Sequence, residues 1–103
     1  MQLITEELKE KLLKNKPYSK PILKLFQGSC TWLVYSMDKS NNDILSGIAD
    51  LGFGFVEYGT FSLSEIERTK FPPFGLRVER DKYFKGEKSL NEYLSLKSLA
   101  GVN

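Results

Sequence analysis

Gly59-Thr60-Phe61-Ser62-Leu63-Ser64-Glu65-Ile66-Glu67 leads through a Pro72-Pro73 break to Gly75-Leu76-Arg77-Val78-Glu79-Arg80-Asp81-Lys82-Tyr83-Phe84. The stretch orders a strand, a helix, a loop and a strand. Ser62-Leu63-Ser64-Glu65 has the form of a capping box, in which the Ser62 hydroxyl takes the Glu65 N–H and the Glu65 carboxylate returns to Ser62. A short helix is expected from about Leu63 to Lys70. Phe71-Pro72-Pro73-Phe74-Gly75 breaks it into a rigid loop, and Leu76 to Glu79 reads as a strand.

Upstream, Thr5 is an N-cap with Glu6 and Glu7 in the first turn, where the helix dipole favours acids. Leu8, Leu12 and Leu13 share a face at helical spacing, so a helix is expected over residues 5–14. Pro17 ends it. Ile22 to Gln27 and Thr31 to Met37 read as strands joined by a Gly28-Ser29 hairpin turn. A polar loop follows at residues 38–43. Ile44 to Ala49 and Phe53 to Thr60 read as two more strands, with glycines 47, 52, 54 and 59 marking bends or close approach. Ser89-Leu90-Asn91-Glu92 is a second capping box. It opens a terminal helix that turns Leu90, Tyr93, Leu94 and Leu96 inward.

Strands joined in sequence by short turns pair antiparallel. The expected fold is therefore one α+β domain over residues 1–103: a small curved antiparallel sheet of four to five strands. N-terminal, middle and C-terminal helices pack on it, on one side. Trp32, Phe26, Phe53, Phe61, Phe74 and Phe84 are the expected core aromatics, since a chain of 103 residues buries only about 60–65% of its unfolded surface. Tyr58, Tyr83 and Tyr93 can serve either the core or an interface.

The composition, 41% hydrophobic and 27% charged, is that of a globular domain rather than a disordered one. No apolar run approaches the roughly 20 residues that span a bilayer, and no secretory signal is visible, so a cytoplasmic protein without a membrane partner is expected. The single cysteine, Cys30, rules out an internal disulfide framework. Net charge is +2, but residues 1–24 carry +3, residues 25–67 carry −5 and residues 68–103 carry +4. Such asymmetry marks a partner surface or two solvated faces.

Several segments together resemble a family of small bacterial, phage and plasmid proteins catalogued as domain of unknown function 2958. They are Leu3-Ile4-Thr5-Glu6-Glu7-Leu8, Lys24-Leu25-Phe26, Thr31-Trp32, Gly47, Glu57 through Ile66, and Gly75 through Phe84. The resemblance covers most of residues 1–85, and nothing after Glu87 matches. In the family pattern the Trp strand ends in Thr-Glu, where this chain has Tyr35 and Ser36. An acid precedes the Glu57 position by two, where this chain has Phe55. The resemblance implies no activity. It implies a setting: genes of mobile elements, beside anti-restriction and conjugation functions.

The chain has no His, which removes Ser-His and Cys-His nucleophile pairs, His metal sites and an imidazole base. One Cys builds no zinc cluster, and no acidic spacing matches a calcium loop, so no metal and no cofactor is expected. Gly52, Gly54 and Gly59 lack the Gly-Lys-Ser/Thr ending of a phosphate loop and read as sheet bends. Strand alternation puts Glu57 on the face of Phe53 and Phe55, and a carboxylate among Phe rings is suited to acid chemistry. Alternatively, a bulge near Gly59 turns Glu57 to water, or Glu57 pairs with Arg77 or Arg80. Arg80, between Glu79 and Asp81, either forks onto a partner's carboxylate or phosphate, or clamps this segment to Asp50 or Glu57.

With no catalytic group, the expectation is a non-enzymatic protein of a mobile element. It would bind a host or element-encoded protein as an anti-defence inhibitor, of the anti-restriction or anti-CRISPR kind. Glu57, Tyr58, Glu79, Arg80, Asp81 and Tyr83 are the candidate partner-binding residues. An accessory nucleic-acid-binding protein is the alternative, weakened by a pI of about 8.6 and by having only three arginines, Arg68, Arg77 and Arg80. A hydrolase using Glu57 and Glu79 is the third reading, and it requires both in one cleft.

Overall fold

A computed structural model describes residues 2–103. Helix α1 (Glu6–Lys14) is capped by Thr5, whose side chain accepts the Leu8 N–H. Strands β1 (Leu23–Gln27), β2 (Cys30–Met37), β3 (Ile44–Asp50) and β4 (Glu57–Ser62) follow. Then come α2 (Leu63–Arg68), β5 (Lys70–Phe71), β6 (Leu76–Arg77), β7 (Glu79–Arg80) and α3 (Leu90–Leu94). The main sheet has five strands in the order β4-β3-β2-β1-β7, antiparallel throughout, and β5 and β6 form a small hairpin of their own. The fold is α+β, as the sequence predicts.

The β1–β2 hairpin turns at Gly28 (φ 57°), with Gln27 opposite Cys30. The β2–β3 ladder shifts register between Val34 and Ser36, a bulge at Tyr35. Gly47 lies opposite Val34 just before that shift. A Cβ on Gly47 would stand 1.9 Å from the Leu33 carbonyl oxygen, so only glycine allows the strands to meet there.

The helices do not all lie on one side. Leu12 of α1 and Ile66 of α2 pack with Leu25, Trp32, Val34 and Leu45. Leu33, Tyr35 and Ile48 pack with Tyr93 and Leu99. Because alternate residues of β2 face opposite ways, these are the two faces of one sheet. The C-terminal segment is a lid over the second face. Asp50, 2% exposed, holds it: its Oδ2 accepts the Leu99 N–H at 2.8 Å, and its Oδ1 accepts the Gly52 N–H at 2.9 Å. Asp50 therefore binds backbone rather than Arg80.

Three further expectations change. The fourth strand begins at Glu57, not Phe53, because Gly52 and Gly54 adopt φ 87° and 88° and turn residues 51–56 out of the ladder. The expected strand Leu76 to Glu79 divides in two at buried Val78, its first half pairing with β5 and its second with β1. The Ser62 box is half formed. Ser62 accepts the Glu65 N–H at 3.2 Å, but Ser62 is still in the β4 ladder opposite Ile44, and Asp43 takes the second capping role. Asp43 accepts the Ser62 hydroxyl at 2.6 Å and the Ser64 N–H at 2.8 Å. The box at Ser89 and Glu92 forms in full.

Candidate functional site

Six residues are candidates from sequence, and the fold separates them. Glu57 opens β4 at one margin of the sheet and Glu79 lies in β7 at the other. Four strand spacings, about 19 Å, stand between them, so the two carboxylates share no cleft. Both are exposed. Glu79 approaches the Gln27 amide at 3.5 Å.

Tyr58, Arg80 and Asp81 are occupied within the fold. The Tyr58 hydroxyl donates to the Pro17 carbonyl, and its ring lies 4.8 Å from that of Tyr18 and 5.6 Å from that of Tyr35. Burial raises the pKa of the Tyr58 hydroxyl. Arg80 donates from Nη1 to the carbonyls of Leu3 at 2.6 Å and Gln2 at 3.0 Å, which ties the N-terminal segment to β7. It is a clasp on backbone, not an ion pair with the acidic middle. Arg77 likewise donates to the Glu67 carbonyl at 2.9 Å and is not the partner of Glu57. Asp81 pairs with buried Lys24 at 3.7 Å, and Lys24 also donates to the Val102 carbonyl at 2.8 Å. Tyr83 differs: it is 87% exposed.

Phe53 and Phe74, expected in the core, are 74% and 82% exposed. Phe74 stands at the tip of the β5–β6 hairpin loop. Phe53 belongs to Leu51-Gly52-Phe53-Gly54-Phe55, where Leu51 is 47% and Phe55 52% exposed. These side chains wall a groove of about 300 Å³ whose floor includes Ala49, Gly59 and Phe61. An exposed apolar patch of this kind is a candidate contact surface. Sequence reasoning missed it by taking Phe53 as a strand residue. The available signal was the strict Gly-Phe-Gly-Phe alternation without a β-branched residue, which suits a turn better than a strand.

The groove runs along a free backbone edge. The Leu63 N–H donates to the Asp43 carbonyl at 2.9 Å, which sets the alternation of the β3–β4 ladder. Gly59 and Phe61 are then bonded inward to β3, and the N–H and C=O groups of Tyr58 and Thr60 point outward. No backbone bond to them is made among the described residues.

Elsewhere, Lys14, Lys16 and Lys39 line a second groove, of about 450 Å³, between the end of α1 and the β2–β3 loop. Among the described residues no cluster of His, Cys, Asp and Glu is suited to hold a metal ion, and no helix is long and apolar enough to cross a membrane.

Fold and site together define a small α+β domain with an aromatic loop beside an unpaired sheet edge. The chain belongs to the family described as protein of unknown function (DUF2958), whose model matches residues 2–102. The match includes the C-terminal segment, past the point at which the sequence resemblance stops. No curated protein and no solved structure matches the chain.

Proposed function

We propose that this chain is a non-enzymatic protein-binding module. Its contact surface is the exposed loop side chains Leu51, Phe53 and Phe55, with Tyr83 as a second exposed aromatic. The observation that carries the reading is Phe53, 74% exposed between two left-handed glycines that hold it away from the core. Aromatic side chains, Phe among them, are enriched at protein interfaces. The mobile-element setting implied by the resemblance supports a host or element-encoded protein as the partner. It also supports inhibition of a defence nuclease as the consequence. Both rest on association with the family rather than on chemistry at the site.

The test is affinity capture with the wild-type chain and with a Phe53→Ser, Phe55→Ser double variant. Both rings are solvent-exposed, so the variant should fold with a change in stability within about 0.5 kcal/mol. A partner retained by the wild type, reconstituted from purified components and lost in the variant supports the reading. Equal capture by both chains, or no reproducible partner, sinks it. The lysine groove favours a second reading, nucleic-acid binding. Its mark is retention on DNA at low salt that disappears on Lys14→Ala, Lys16→Ala, Lys39→Ala substitution.

A further inference from the structure

We propose that β4 pairs with β4 of a second copy of this chain, antiparallel about a two-fold axis at Thr60, to join two sheets into one. The inference goes beyond the binding role of the loop and does not depend on it. The loop offers side chains, and the edge offers backbone.

The two margins of the sheet differ. β7 is only two residues long, a blunted edge. β4 runs six residues in unbroken register with β3, from Ile44 opposite Ser62 to Ala49 opposite Glu57. It contains no Pro, no Lys and no bulge, and Glu57 is its one charged residue. Monomeric proteins protect such an edge with Pro, Lys, bulges or charges, and here the one such device is Glu57, at the end of the strand.

The edge is also complementary to itself. Tyr58, Thr60 and Ser62 are the outward-bonding positions, so a two-fold axis at Thr60 pairs Thr60 with Thr60 and Tyr58 with Ser62. In that register Phe61 of each copy stands opposite Gly59 of the other, on the groove face. Space above Gly59 is open, with no atom within 4 Å of an added Cβ. An aromatic ring laid over an edge glycine and a Thr–Thr cross-strand pair both favour the sheet. A six-residue edge is short, so the dimer should be concentration-dependent rather than obligate.

Sedimentation from about 5 to about 200 µM should show a rising dimer fraction, by mass action. Gly59→Lys should leave the chain folded, because the position is open, and monomeric throughout, because a charge then meets Phe61 across the joint. In a Cys30→Ser background, Thr60→Cys should cross-link two copies under mild oxidation, whereas Ser62→Cys should not. A wild-type chain monomeric at the highest concentration overturns the proposal. So does a dimer untouched by Gly59→Lys, or cross-linking at Ser62→Cys in place of Thr60→Cys. Loss of partner capture in the Phe53 and Phe55 variant leaves this result unaffected, so the two proposals fail separately.

Discussion

Gly47 and Gly59 face each other across β3 and β4, yet only Gly47 is required to be glycine. Gly47 sits beneath the β2 bulge, where a Cβ would overlap the Leu33 carbonyl oxygen at 1.9 Å. Gly59 lies one strand further out, with open space where its Cβ would be.

The pair therefore gives opposite outcomes for one chemical change. Gly47→Ala must push β2 and β3 apart and should cost about 3 kcal/mol or more. Gly59→Ala should be neutral or stabilising by up to about 1 kcal/mol, since it removes the entropy penalty of glycine in a strand. Urea denaturation of both variants checks this. Equal destabilisation would refute the assignment of the close contact to Gly47.

Arg80 is predicted to stabilise through carbonyls rather than through an acid. Arg80→Met removes two bonds from a charged donor to Gln2 and Leu3, and should cost about 1–3 kcal/mol. The loss should be nearly the same at low ionic strength and at about 0.5 M salt, because ions screen charge pairs far more than hydrogen bonds to neutral carbonyls, that of Leu3 being partly buried. Hydrogen exchange at the start of α1 should accelerate. A cost that fades with added salt would restore the ion-pair reading.

Asp43 should make the fold acid-sensitive. Hydrogen bonds from the Ser62 hydroxyl, then the Ser64 N–H, hold its carboxyl below the ordinary value of 3.8. The folded pKa is lowered, so the stability it contributes is fully present above the unfolded value and is lost as pH falls through the folded one. Asp38 and Glu92 shift the same way, by bonds from Ser40 and Ser89. Asp43→Asn should therefore remove part, not all, of the loss in urea midpoint between neutral pH and pH ~3. An unchanged acid slope in the variant would show that Asp43 does not cap α2.

Local signals in this chain were legible where a local cause decides the structure. Thr5 and Ser89 cap their helices as read, because a cap needs only its own next three residues. The Gly28 hairpin formed for the same reason. The Ser62 box formed only in part, because Asp43, nineteen residues upstream, reaches the same hydroxyl. Of the candidate site, Glu57, Glu79 and Tyr83 remain exposed. Tyr58, Arg80 and Asp81 were drawn into contacts with Pro17, Leu3 and Lys24 that no local pattern announces.

The sequence by itself determined the order of elements as far as α2, the antiparallel pairing and the lack of His-based chemistry. These follow from periodicity, turn residues and composition, which act over a few residues. The sequence did not show β5 or the division of the last strand into β6 and β7. Tertiary structure alone decided that α3 covers the face opposite α1, that Phe53 is outside, and that Glu57 and Glu79 never meet. Which face a helix covers, and which apolar side chains reach the core, depend on packing between segments distant in the chain. Gly47 and Gly59 show the difference: identical in sequence and adjacent in space, they are told apart only by the strand that lies behind one of them.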